Sequence, residues 1–170
     1  ISAFLAVPAA MFFADVNFYT DIYTNVVEAC RTAFFGAALP EEAAKLFMLW
    51  LLVRKNKYFD ERIDGIVYAV AISMGFAAFE NLLYLFSNYE QWLTVGLTRA
   101  ALSVPAHYAF AVLMGYYYSK VHFGISHSPK DKLMTLLAPV IVHTIFDWIL
   151  FSISITPALT GILSIVFIIF

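Results

Sequence analysis

Eight ionisable side chains sit inside long apolar runs of this sequence: Glu41, Glu42, Lys45, Glu80, Arg99, His107, His143 and Asp147. A charged side chain at the centre of a bilayer costs roughly 2.5–3.5 kcal/mol on insertion scales, so six formal charges facing lipid alone would cost roughly 15–20 kcal/mol. They must pair, bind an ion or line a wet cavity. Their spacing is helical. Glu41 and Lys45 stand four apart, as do Glu80 and Tyr84, and His143 and Asp147. Arg99, Ser103 and His107 form a stripe at i, i+4 and i+8. Such pairs meet along one face of a helix. Helix packing has no need of two adjacent carboxylates, so Glu41 and Glu42 point to function.

Hydrolysis of a peptide bond needs an activated water, an acid for the leaving amine and donors for the oxyanion. Glu41 or Glu42 is the base that this set offers. Glu41 is slightly favoured, because Lys45 can position it. Glu80, His107 and His143 hold the water, the oxyanion or a metal, and Asn81, Arg99 and Asp147 support them. Two mechanisms stay open. One uses glutamate chemistry with no cofactor; the other binds Zn²⁺ through Glu80, His107 and His143, with water in the fourth position. The zincin pattern H-E-x-x-H is absent, and so is G-x-S-x-G. A proton-coupled transporter also concentrates acids and histidines at mid-membrane, but the repeated halves usual for one are not seen. A scaffold that binds transmembrane helices is the third reading.

The elements that must carry these residues are apolar. Of the 170 residues, 62% are hydrophobic and only 13% charged. Mean hydropathy is +0.81. Ordinary soluble domains carry about 25% charged residues. A soluble domain, a disordered tail and a nucleic-acid binder are therefore excluded, the last also by a net charge of −2 without a basic stripe. One cysteine, Cys30, excludes an intrachain disulfide framework.

A crossing needs about 20 mostly apolar residues. Stretches 31–53, 64–86, 92–119 and 133–151 meet that length, and 1–14 and 157–170 read as crossings truncated at the ends of a piece of a longer protein. The expected fold is an all-α, polytopic transmembrane helical bundle forming a single domain over residues 1–170. Basic residues gather in 54–63 (Arg54, Lys55, Lys57, Arg62) and 120–132 (Lys120, Lys130, Lys132), which places those loops in the cytoplasm. At 1.5 Å per residue, Glu41 lies about 18 Å above residue 53, Glu80 about 24 Å above 64, His107 about 18 Å above 119 and His143 about 15 Å above 133. Four helices thus bring acids and imidazoles to one layer, at mid-membrane or slightly outward. Pro40 and Pro105 loosen the helices beside that layer. Gly36, Gly75, Gly96 and Gly115 allow close helix approach. Asp64 and Gly65 read as a helix N-cap.

Four motifs in order resemble a known family. They are Pro40-Glu41-Glu42-Ala43-Ala44-Lys45; Asp64-Gly65-Ile66-Val67-Tyr68-Ala69 with Gly75-Phe76-Ala77 and Glu80-Asn81-Leu82-Leu83-Tyr84; the block from Arg99 to His107 followed by Met114-Gly115-Tyr116; and His143-Thr144-Ile145-Phe146-Asp147. Over about residues 36–150 they resemble the PrsW family of intramembrane proteases. That family is similar to the wider group of CAAX prenyl endopeptidases and bacteriocin-immunity membrane proteins. Ser103 stands where the CAAX-type enzymes often carry Phe, which weakens any transfer of prenyl-substrate recognition. The resemblance implies a multi-pass protein of the bacterial cell membrane, with the Glu pair and the histidines catalytic. It further implies a single-span, anti-sigma-factor-like membrane protein as substrate, cut on its extracytoplasmic side. The expected partners are that substrate and the lipid bilayer, with no nucleic acid.

Overall fold

A computed structural model of the chain describes residues 25–153 and Ile155. The end stretches 1–14 and 157–170 lie outside the described residues. Most of the described residues are helical, with no strand among them. The helices are α1 (Val26–Thr32), α2 (Leu39–Val53), α3 (Asp64–Ser87), α4 (Trp92–Ala101), α5 (Ser103–His122) and α6 (Pro129–Ser152). A π-helical segment, Ala33–Ala38, joins α1 to α2, and a 3₁₀ turn, Tyr89–Gln91, joins α3 to α4. α3 and α6 are long and apolar enough to cross a membrane, with mean hydropathies of 1.7 and 1.8 over their best windows.

Helix starts and stops follow local chemistry. Asn25 caps α1, its side-chain oxygen accepting from the Val27 and Glu28 amides at 3.0 and 3.1 Å. Pro40 brings no amide to the helix, and just before it the chain widens by one residue per turn. The Leu39 amide donates to the Phe34 carbonyl, five residues back. This register shift sets which face of α2 turns inward. Ala38, Glu42, Lys45, Leu49 and Val53 are all buried there, while Phe47, Trp50, Leu51 and Leu52 face out.

The stretch 92–119 is two helices rather than one. Pro105 offers no amide to the Ala101 carbonyl, and its ring would clash with it. α4 accordingly ends at Ala101, Leu102 bends (φ −115°, ψ −59°), and α5 starts at Ser103. Arg99 therefore lies on a different helix from Ser103 and His107. Asp64 also departs from expectation. It is the first residue of α3 rather than its cap, and its carboxylate accepts from the preceding Asp60 and Glu61 amides at 3.0 and 2.8 Å. This ties down the basic loop 54–63, whose Phe59 is buried against Tyr68, Tyr118, His122 and Phe123. The exposed His122 ring covers one side of this aromatic cluster.

α3 and α5 meet backbone to backbone. A Cβ at Gly115 would come within 2.5 Å of the Ile66 Cα. The partner that permits this approach is Gly65, while Gly75 has open space around it. One turn or two further along the same seam, the Ser73 hydroxyl donates to the His107 carbonyl at 2.9 Å. α6 completes the bundle, held to α1 by the Trp148 indole, which donates to the Val26 carbonyl at 2.8 Å. At its other end Lys120 pairs with Asp131 at 3.1 Å across the 120–132 connection.

Candidate active site

The inward stripe of α2 places Glu42 at 0% and Lys45 at 2% exposure. Lys45 was expected to serve Glu41, four residues away. It lies closer to Glu42, donating at 2.7 Å against 3.5 Å to Glu41, because Glu42 shares its buried face. The ammonium also meets His107 Nδ1 at 3.0 Å. An ammonium can only donate, so Nδ1 accepts and the ring proton resides on Nε2. That nitrogen then donates to Glu80 Oε2 at 3.0 Å. Arg99 reaches the same oxygen at 2.8 Å, donates from Nε to Asn81 at 2.6 Å, and lies 3.9 Å from the centre of the Tyr84 ring. One chain of contacts therefore runs from Glu42 through Lys45, His107 and Glu80 to Arg99.

A second chain starts from the same Glu42. Its Oε1 accepts from His143 Nδ1 at 2.9 Å, and His143 Nε2 faces Asp147 at 3.2 Å and Glu41 at 4.0 Å. Both nitrogens of the His143 ring are thus taken up by carboxylate oxygens. Phe110 stacks on this ring at 4.6 Å, and the two imidazoles meet edge to face at 5.4 Å. The nine residues singled out from the sequence thus converge on one network, although they come from α2, α3, α4, α5 and α6.

The network borders a cavity of about 160 Å³. Glu41, Glu80, Tyr84, Arg99, Ser103, His107, His143 and Asp147 line it, and Glu42 does not. At about 30 Å³ per water, it has room for a few waters beside the acids. Tyr84 and Phe110 are the residues sequence reasoning passed over. Tyr84 had the right spacing from Glu80 but drew no role, and Phe110 stands one turn beyond His107 on the same face.

Metal binding can be tested against the donors. Glu41, Glu42 and His107 offer ligand atoms within 4.8 Å of one another, a convergence unique among the described residues. Glu42 Oε2 is buried with no hydrogen-bond partner among the described residues, so an acceptor is ready in the interior. Two carboxylates and an imidazole suit a divalent ion such as zinc. This is not the set expected from the sequence. His107 Nε2 and Glu80 Oε2 do meet, at 3.0 Å, but His143 turns its nitrogens to Glu42 and Asp147 instead of joining them.

The model of the PrsW family intramembrane metalloprotease matches residues 1–170, the whole chain. The chain belongs to the PrsW family. A membrane location follows from that membership. Curated relatives include the Protease PrsW of Clostridioides difficile (strain 630), 38% identical over 88% of this chain and 64% of its own length. The Protease PrsW of Geobacillus kaustophilus (strain HTA426) is 37% identical over 75% of this chain and 55% of its own. That of Bacillus subtilis (strain 168) is 36% identical over 72% and 55%. The chain thus spans between half and two thirds of the length of these relatives. No solved structure is significantly similar to it.

Proposed function

We propose that the chain carries the active site of an intramembrane endopeptidase. Its substrate is a single-span, anti-sigma-factor-like membrane protein, cut in the segment just outside the membrane. The supporting observation is that Glu41 faces a cavity of about 160 Å³ lined also by Arg99, two imidazoles and the acids Glu80 and Asp147, within a bundle of PrsW-family sequence. The bundle is multi-pass and sits in the bacterial cell membrane. Its outward faces support this: Val67, Leu82, Phe86, Leu97 and Ile141 are exposed and apolar, with Phe86 at 77%, which suits lipid as solvent. The basic loops 54–63 and 120–132 lie in the cytoplasm, so the cavity opens nearer the outer surface.

In this reading Glu41 takes a proton from a cavity water as its oxygen attacks the substrate carbonyl carbon. Arg99 and Tyr84, both on the cavity wall, supply N–H and O–H donors for the oxygen that becomes an anion. When the C–N bond breaks, Glu41 returns the proton to the leaving amine. Glu42 holds Lys45 and His143 in place from behind and touches no substrate. A divalent metal held by Glu41, Glu42 and His107 would add Lewis-acid polarisation of the carbonyl or water.

The test is a library of single-span reporters with randomised juxtamembrane segments, co-reconstituted with the chain in vesicles. Tethered reporters are cut on the outer side, and the same segments freed of their membrane anchor are not. Equal cleavage of free and tethered segments, or no cut reporter from a folded chain, overturns the reading.

Arg99 provides a sharper check on the cavity wall. Its planar guanidinium joins Glu80, Asn81 and Tyr84 at once, a geometry that an ammonium cannot copy. Arg99→Lys is expected to lower the single-turnover rate about 10- to 100-fold, an order expected when supporting contacts are lost, with little change in unfolding temperature. A wild-type rate in Arg99→Lys would remove Arg99 from the working site.

A further inference from the structure

The point at which Glu41, Glu42 and His107 converge already holds a cation belonging to the chain. Lys45 Nζ lies 2.7 Å from Glu42 Oε1, 3.0 Å from His107 Nδ1 and 3.5 Å from Glu41 Oε2. These are the three residues whose donor atoms lie close enough together to hold a metal ion. The ammonium has three protons and finds three acceptors, and on a further side the Phe76 ring covers it at 4.3 Å. Metal-to-ligand bonds to nitrogen and oxygen are about 2.0–2.2 Å. An ion bound by all three donors would therefore sit almost on top of Nζ, and two cations at such a separation in a buried site repel strongly.

We infer that the Lys45 ammonium and a divalent metal are alternative occupants of one position, so that Lys45 sets how tightly the chain holds metal. The inference rests on the location of the proposed active site but not on its reaction. Two features make exchange practicable. The lysine stem is flexible, and the adjoining cavity of about 160 Å³ is lined by Glu80 and Asp147, acids toward which a displaced ammonium can turn. Glu42 Oε2, buried without a partner among the described residues, can join Oε1 on an incoming ion. The motif Glu41-Glu42-Ala43-Ala44-Lys45 then encodes two of the ligands and their competitor within little more than one turn of one helix.

The experiment titrates Co²⁺ and Zn²⁺ into the detergent-purified chain, reading cobalt absorption and binding heat. Lys45→Met removes the charge while keeping the length. It is expected to bind both ions at least tenfold more tightly than wild type. Lys45→Gln, whose amide still donates to Glu42, shifts affinity in the same direction and serves if the methionine variant does not fold. Equal affinities in wild type and variants, weaker binding in the variants, or binding by none of them overturns the inference. The reporter assay is scored separately. Cleavage by wild type with unchanged metal affinity in the variants removes the exchange and leaves the peptidase. Tighter metal binding in the variants with no reporter cut by any protein does the reverse.

Discussion

Glu41→Gln is expected to stop cleavage in a chain that still folds, whereas Glu42→Gln damages the fold itself. Glu41 is 14% exposed, borders the cavity, and among the described residues makes long ion-pair contacts, at 3.5 Å to Lys45 and 4.0 Å to His143. An amide at this position keeps the shape but cannot accept a proton from water. A positioned general base contributes about 10²–10⁴-fold to a rate, so the reporter assay should show a fall of that order. Glu42 sits behind the cavity at 0% exposure, with Lys45 at 2.7 Å and His143 at 2.9 Å on a single oxygen. Removing its charge leaves a buried ammonium short of its nearest counter-ion. Breaking a buried pair in this way typically costs about 3–5 kcal/mol. Thermal unfolding in detergent should therefore separate the two variants before any activity is measured. If Glu42→Gln is as stable as wild type and Glu41→Gln cleaves normally, the division of labour between the adjacent carboxylates is wrong.

That division was not legible in the sequence, and the reason is geometric. The charged residues inside apolar runs announced themselves by their cost in lipid, and their helical spacing and common depth were enough to gather them at one layer. Which of two neighbours faces inward depends on helix phase, and the phase of α2 is set by the π-helical segment Ala33–Ala38. Nothing in Ala33-Phe34-Phe35-Gly36-Ala37-Ala38 signals an extra residue in the turn. Spacing favoured the pair Glu41 and Lys45, while the shifted register gave Lys45 to Glu42. Pro105 was visible as a loosening of its helix, but whether the helix bends or ends depends on what packs beyond it. Here α4 packs on both α3 and α5, which separates Arg99 from His107 in secondary structure while keeping both on the cavity wall. The imidazoles were legible as site residues and not as a ligand set. Spacing cannot say which nitrogen faces which oxygen, and that orientation decides that Glu41, Glu42 and His107 converge.

Glycine position gives the second large effect. Gly115→Ala is expected to destabilise the bundle by about 3 kcal/mol, the upper part of the usual range for overpacking, and to reduce cleavage with it. The added methyl would overlap the Gly65 carbonyl oxygen and come within 2.7 Å of the Gly65 carbonyl carbon and 2.5 Å of the Ile66 Cα. These are backbone atoms, so no side chain can rotate away and α3 must move off α5. The same seam carries Ser73 to the His107 carbonyl and Glu80 to the His107 ring. A shift of even one ångström there pulls the imidazole away from Glu80. Gly75→Ala is the internal control, since nothing lies within 4 Å of a Cβ at that site. In a helix interior alanine is favoured over glycine by up to about 1 kcal/mol, so this variant should match or exceed wild-type stability. Thermal unfolding and reporter cleavage of the two variants, measured side by side, check the claim. A Gly115→Ala chain with wild-type stability and rate would mean that the α3 and α5 backbones do not approach as described, and the link between that seam and His107 would fall with it.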